Sequence, residues 1–232
     1  MDDLSKVIAT YTPSDSVVEL LQKTKIVLLC GITGAGKNTV ATEILKDQSF
    51  TSLVTSTTRK PRVNDGIMEE HGKDYYFYEH DEAIEKINNG EYFEVALVHG
   101  LIYGSTDEEI KRIYESNKIA ISDIDYQGIE YYKKYSPGAL VIFLVPPSYE
   151  VWMQRLKMRH ESESNFDEAW PVRRESAIRE LEWSLASDIS TIIVNDDFHQ
   201  TCDIVRDIVG GKKVESDGRA TAQRLLDRLR NN

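Results

Sequence analysis

Cysteine, long apolar runs and positive charge are all scarce in this chain of 232 residues. Cysteine occurs twice, at Cys30 and Cys202, and neither has a neighbour at metal-ligand spacing. Cys30 ends the apolar run Ile26-Val27-Leu28-Leu29, which predicts a buried free thiol and fits a reducing, cytoplasmic setting. The five histidines show no metal spacing either. The longest apolar run, Ala139 to Val145, is seven residues. A bilayer needs roughly 20, so no membrane segment is expected. The start, Met1-Asp2-Asp3, is acidic and lacks an apolar core, so no secretory signal is expected. Lys and Arg total 28 against 39 Asp and Glu, a net charge of −11. That disfavours a nucleic-acid binder working by broad charge attraction, but leaves room for a local basic pocket for a small anion. Internal repeats and low-complexity segments are also missing.

The composition, 41% hydrophobic and 29% charged, is that of a soluble globular protein, and the length predicts one domain with a small insertion. Five apolar, β-branched stretches read as buried strands: Ile26–Cys30, Leu53–Thr55, Ile119–Ile124, Ala139–Val145 and Thr191–Val194. Between them, helical spacing recurs at Ala41, Ile44 and Leu45, at Ile110, Ile113 and Tyr114, and at Ile204, Val205, Ile208 and Val209. Strands alternating with helices imply an α/β fold, a parallel sheet covered on both faces. The span 57–105 breaks that rhythm, with aromatics at 75–78, a helical piece near Ile84–Ile87 and a strand-like Tyr92–Val98. It reads as an inserted α+β subdomain whose Val63–Lys73 stretch is loop-like. Residues 1–24 and 210–232 read as extensions of a domain over 25–209. Ser16-Val17-Val18-Glu19 predicts a capping box in the first extension. Leu225, Leu226 and Leu229 form an apolar stripe in the second, fit to dock on the chain's own surface or on another subunit.

Gly31-Ile-Thr-Gly34-Ala35-Gly36-Lys37-Asn38-Thr39 follows the first strand and opens the first sheet helix. This is the context of a phosphate loop: glycines turn backbone N–H groups inward, and the helix N-terminus offers unpaired amides to an anion. Lys37 adds a charge that can bridge β- and γ-phosphates. The hydroxyl residue usual after the lysine is Asn38 here, whose amide oxygen can meet Mg²⁺ directly or through water, and Thr39 stands next to it.

Further motifs follow in order: Thr55-Ser-Thr-Thr-Arg59-Lys-Pro-Arg62, Gly72-Lys-Asp-Tyr75-Tyr-Phe77, Gly90-Glu-Tyr-Phe-Glu94, His99-Gly100-Leu-Ile-Tyr103-Gly104-Ser105, Asp123-Ile-Asp125-Tyr-Gln127-Gly128, Pro146-Pro147-Ser148 and Val194-Asn195-Asp196-Asp197. Over roughly 25–209 the chain resembles the guanylate kinase family. The resemblance implies a P-loop three-layer sandwich with a five-stranded parallel core sheet and an inserted GMP-binding subdomain. It implies transfer of phosphate from ATP to GMP, with Mg²⁺ as cofactor. The thiol, charge and hydropathy readings above set the protein in the cytoplasm without nucleic-acid or membrane partners, and leave monomer and homodimer both open. The resemblance places ATP on Gly31, Gly34, Ala35, Gly36, Lys37, Asn38, Thr39 and Asn195. Arg59, Arg62, Tyr75 and Tyr103 would hold the GMP phosphate, and Thr55, Glu94, Ser105 and Asp125 would meet the base or its surroundings. Asn38 and Asp123 would face Mg²⁺, through water. Catalytic charge would come from Lys37, Arg59, Arg155, Arg159 and, on the next helix, Arg173 or Arg174, around a lid over about 156–172.

The residue chemistry agrees. Guanine presents N1–H and a 2-amino group on one edge, and Glu94 can accept from both, while Thr55 or Ser105 donates to O6. Adenine would set a lone pair against the carboxylate, and a site built to pair polar edges rejects such a mismatch. Guanidinium groups match phosphate oxygens bidentately. Arg155 and Arg159, at i and i+4, repel by a few tenths of a kcal/mol unless an anion lies between them.

Three features depart from the family pattern: Asn38, a loop from Arg62 to Tyr75 about four residues longer, and an acidic stretch from His160 to Pro171 in place of the usual lid. Two rival readings are a guanylate-kinase-like domain without catalysis that binds phosphorylated peptides, and a kinase for another small phosphate ester. The intact loop with Lys37 weighs against the first, and the set Thr55, Glu94, Ser105 and Asp125 against the second.

Overall fold

In the computed structural model the residues described are 2–64, 66–158, 163–186 and 188–231. The chain opens with helices α1 (Asp2–Ala9) and α2 (Asp15–Lys23), then β1 (Ile26–Gly31), α3 (Lys37–Ile44) and β2 (Phe50–Ser52). Short strands β3 (Ser56–Thr57), β4 (Val63–Asn64), β5 (Ile67–Met68) and β6 (Tyr76–Phe77) precede α4 (His80–Asn88) and the antiparallel pair β7 (Tyr92–Val98) and β8 (Leu101–Thr106). Then come α5 (Asp107–Ser116), β9 (Ile119–Asp123), α6 (Tyr126–Tyr135), β10 (Leu140–Val145), α7 (Tyr149–Lys157), α8 (Glu163–Ala186), β11 (Thr191–Val194), α9 (Phe198–Val209) and α10 (Gly218–Asn231). The chain forms two compact units. One comprises Ile26–Phe50, Ile121–Glu130 and Ala139–Asn232, the other Met1–Lys25, Thr51–Ala120 and Tyr131–Gly138.

The first of these carries a five-stranded parallel sheet of order β11-β10-β1-β9-β2. β1 pairs with β10 from Val27↔Leu140 to Gly31↔Leu144, and all six of its residues are buried. That is why it reads as an unbroken apolar run rather than an alternation. α3 buries Val40 and Ile44 and leaves Leu45 exposed, so its stripe is turned one residue from the expected Ala41, Ile44 and Leu45. α9 likewise buries Thr201, Cys202 and Val205. α8 runs unbroken through Pro171, and its Trp170 stacks on Phe166 and meets Trp152 of α7 edge-on at 5.7 Å. α10 buries Leu225, Leu226 and Leu229 on its own chain, packing on α8 and β11.

The other unit holds a four-stranded sheet of order β6-β3-β8-β7. Val54, Tyr76, Tyr78, Ala83, Ile87, Tyr92 and Ile102 form its core, and Leu4, Ile8 and Tyr11 of the first extension pack on them. Four expectations change here. The strand expected at Leu53–Thr55 lies three residues earlier, at Phe50–Ser52. The Val54 N–H instead donates to the Glu109 carboxylate, which takes the place of a ladder bond. The loop-like Val63–Lys73 stretch contains the β4–β5 pair, with Val63, Ile67 and Met68 exposed. α2 begins at Asp15 with Ser14 at its N-cap position, so Ser16 lies inside the helix and caps nothing. α5 buries Ile110 and Ile113, but Tyr114 faces out.

Candidate active site

β1 ends in Gly31, whose φ of 138° and whose place against the Leu144 carbonyl leave no room for a side chain. A Cβ there would lie 2.2 Å from that oxygen. Gly36, at φ 93°, is the N-cap of α3, and a Cβ on it would stand 2.3 Å from Asn195 Nδ2. Two bonds hold the loop from outside. Trp152 Nε1 donates to the Thr33 carbonyl at 2.7 Å, and Asn195 Nδ2 to the Ala35 carbonyl at 2.7 Å. Asn195 Oδ1 accepts from the Thr201 hydroxyl at 2.9 Å. Asn195 therefore ties the loop to α9, with one end of its amide on each.

Lys37 Nζ donates to the Gly31 carbonyl at 2.7 Å. It lines a cavity of about 320 Å³ with Thr33, Asp123, Asp125, Tyr126 and Glu180. Burial pushes the carboxyls of Asp123 and Glu180 above their usual range, and Lys37 partly opposes the rise in both. Asp125 accepts from the Gly128 N–H at 2.8 Å, fixing the start of α6, so it belongs to this cavity. A second cavity, about 340 Å³, is lined by Gly34, Gly36, Thr39, Arg155, Asn195 and Phe198 among others. Arg155 donates to the Asn195 carbonyl at 2.8 Å and the Asp196 carbonyl at 3.2 Å. Asn38 is exposed in the first turn of α3.

On α8, Arg174 donates to the Leu229 carbonyl of α10, whereas Arg173 has no hydrogen-bond or ion-pair partner among the described residues. Arg159 lies outside the described residues. Glu180 is a cavity residue the sequence reading missed. Its signal was the spacing from Arg173, seven residues and two helical turns along α8.

In the other unit, Thr55, Glu94, Val95, Ala96, Tyr103, Gly104 and Tyr131 line a cavity of about 310 Å³. β7 and β8 pair Glu94 with Ser105, and the Ser105 hydroxyl donates to Glu94 Oε1 at 3.0 Å. Tyr132, fully buried, faces the same carboxylate; burial, with the Glu94 charge adding to it, holds its hydroxyl well above the usual range. Arg59 is nearly buried and forks onto Glu69, with Nη1 to Oε2 at 2.8 Å and Nη2 to Oε1 at 2.9 Å. Its guanidinium carbon lies 5.3 Å from the centre of the Tyr75 ring, and Tyr75 meets Tyr103 edge-on. The Glu69 bonds raise the Arg59 pKa, and Tyr103 adds to the rise. The Arg62 side chain is exposed, while its N–H donates to Glu69.

Glu69 escaped the sequence reading, as did Glu109. Glu109 is fully buried and accepts from Val54 N–H, the Tyr76 hydroxyl and Arg112, so it ties down the segment leading into Thr55. Its sequence context, the third of three acids opening α5, is that of a solvated helix start.

The ionised groups facing Lys37 in this cavity are carboxylates, beside the buried Cys30 thiol, and among the described residues no three His, Cys, Asp or Glu side chains gather into a metal cage. Such a sparse carboxylate set fits Mg²⁺, which keeps several waters and binds through one or two carboxylates plus substrate phosphates.

Comparison with known proteins gives the family. The family model described as guanylate kinase matches residues 23–212. Guanylate kinase of Rickettsia prowazekii is 31% identical over 82% of this chain and 93% of its own length. That of Geobacter metallireducens is 37% identical over 76% of this chain and 83% of its own. The crystal structure of guanylate kinase from Anaplasma phagocytophilum superposes with a TM-score of 0.55 at 25% identity, covering 90% of this chain and 97% of that one. With a glycine loop, a carboxylate-and-serine cavity and sequence likeness along most of its length, the chain belongs to the guanylate kinase family.

Proposed function

We propose that this protein transfers the γ-phosphoryl group of ATP to GMP, and to dGMP, giving ADP and GDP or dGDP, in the cytoplasm, as a monomer or homodimer. The observation that carries the reading is the cavity where Glu94, oriented by the Ser105 hydroxyl, stands with Thr55 and Tyr103. A carboxylate there suits the paired donors of guanine and opposes the N1 lone pair of adenine. The GMP phosphate would meet Arg59, Tyr75 and Tyr103, with Arg62 reaching in from the exposed loop. An oxygen of that phosphate, already ionised near neutral pH, attacks Pγ as the bond from Pγ to the ADP oxygen breaks, so no strong general base is required.

The chain's own part is alignment and charge. The loop amides of 31–39 and Lys37 hold the ATP phosphates, and Arg155 and Asn195 shape the neighbouring cavity. Arg173, with no partner among the described residues, is the α8 arginine free to meet the transferring group, since Arg174 is held by α10. Mg²⁺, when bound with ATP, would be held through water by Asp123 and by Asn38, and supplies charge neutralisation on the phosphates.

The test is ADP formation from ATP and Mg²⁺ with GMP, dGMP, AMP, CMP and UMP offered separately. Strong turnover with GMP and weak turnover with AMP is the expected result. Tight GMP binding without turnover would overturn the enzyme reading in favour of a binding module.

A further inference from the structure

Tyr11 lies outside the matched residues 23–212, on the segment between α1 and α2. Its hydroxyl donates to the Tyr92 carbonyl at 2.5 Å and accepts from the Tyr92 N–H at 3.0 Å. One oxygen thus satisfies both main-chain groups of a residue on β7, an edge strand of its sheet. The place matters because β7 is irregular there. Tyr92 opposes Thr106 and Glu94 opposes Ser105, so two steps on β7 match one on β8 and Phe93 is the extra residue of a bulge.

Both bulge residues are buried, Tyr92 in the core beneath the sheet and Phe93 against the rings of Tyr131, Tyr132 and Tyr135. The Phe93 carbonyl accepts from the Tyr131 hydroxyl at 2.9 Å. Two tyrosine hydroxyls therefore replace the partner strand the bulge lacks. Glu94 is the next residue, and a one-residue slip of the bulge would turn its carboxylate to the opposite face. Burial pushes the Tyr11 hydroxyl up to about 12, so it stays a donor throughout the neutral range.

We propose that Tyr11 is a positioning residue for Glu94, holding the bulge that aims this carboxylate at the guanine edge. The proposal rests on the GMP reading above. It gives the N-terminal extension a role in base selection, exerted through main-chain bonds to Tyr92 without contact to the substrate.

Tyr11→Phe removes the hydroxyl and keeps the packed ring, so the variant tests the brace alone. The GMP KM should rise about fivefold, the loss of one such hydrogen bond pair, with kcat and the ATP KM unchanged. The preference for GMP over inosine monophosphate, which lacks the 2-amino group, should narrow. Hydrogen exchange at the Tyr92 amide should accelerate. A merely structural residue would lower the melting temperature and leave the GMP KM and the preference unmoved, and that result overturns the proposal. If the unaltered protein forms no ADP with GMP, the GMP reading fails first. The Tyr92 amide then decides whether Tyr11 holds the bulge: faster exchange upholds the brace, and equal exchange removes it.

Discussion

Lys37 and Arg59 are both cations assigned to phosphate on the proposed reading, and each already has a protein partner. Lys37 is bonded to a neutral carbonyl, that of Gly31, at the end of a flexible four-carbon stem. Arg59 is forked onto a carboxylate, close to buried, and flanked by the Tyr75 and Phe77 rings. An ammonium can exchange a carbonyl for a phosphate oxygen by rotating its stem. A guanidinium held by Glu69 keeps its plane and offers its remaining donors in a fixed direction. The glycine loop thus has a mobile counter-charge, and the unit that carries Glu94 a fixed one; on the proposed reading the first serves where charge is redistributed and the second where an acceptor is held.

Lys37→Ala breaks the mobile side of this contrast and carries the largest expected effect. Steady-state ADP formation should fall about 10³-fold, the scale of losing one charge-stabilising group, with GMP affinity by calorimetry unchanged. Glu94→Gln tests whether base selection belongs to the fixed side. Two charge-assisted hydrogen bonds become one at most, so kcat/KM for GMP should fall about 10²-fold while that for AMP stays level.

Glu69→Gln sharpens the contrast itself. Removing one partner of a nearly buried pair should cost roughly 3 kcal/mol, or about 6–10 °C in melting temperature, and raise the GMP KM several-fold. A variant as stable as the parent would show that Arg59 is not held by Glu69 at all.

Asp123→Asn gives the smallest effect, and its sign depends on pH. The folded carboxyl titrates above its unfolded value of about 3.9, so the stability it contributes is present below that value and lost as pH rises through the folded one. At neutral pH the asparagine variant should therefore melt a few degrees higher than the parent. The gain should vanish when melting is followed near pH 3.

Much of this was legible in the residues because it is local. The glycine loop is nine consecutive residues after an apolar strand, and the positive φ values at Gly31, Gly34 and Gly36 follow from geometry other residues rarely adopt. β1 and β11 begin where their apolar runs begin, because parallel strands buried on both faces need no alternation. The errors fell where a distant side chain took over a backbone group, or where a helix began ahead of its sequence signal. Glu109 draws Val54 out of the strand, and Ser14 rather than Ser16 stands at the head of α2.

What the sequence by itself determined is the chemistry on offer: a phosphate loop with its lysine, arginines for anions, and a carboxylate and a serine able to meet guanine. What only the tertiary structure decided is which of these groups are engaged. It alone shows Arg59 forked onto Glu69, Arg174 drawn to α10, Asn195 spent on bracing the loop, and Tyr11 clasping Tyr92 across 81 positions. The reason is physical. Residue type and short-range spacing set what a side chain can bond, but hydrogen bonds and ion pairs form between groups that the folded backbone brings together, and that proximity is written in no local pattern.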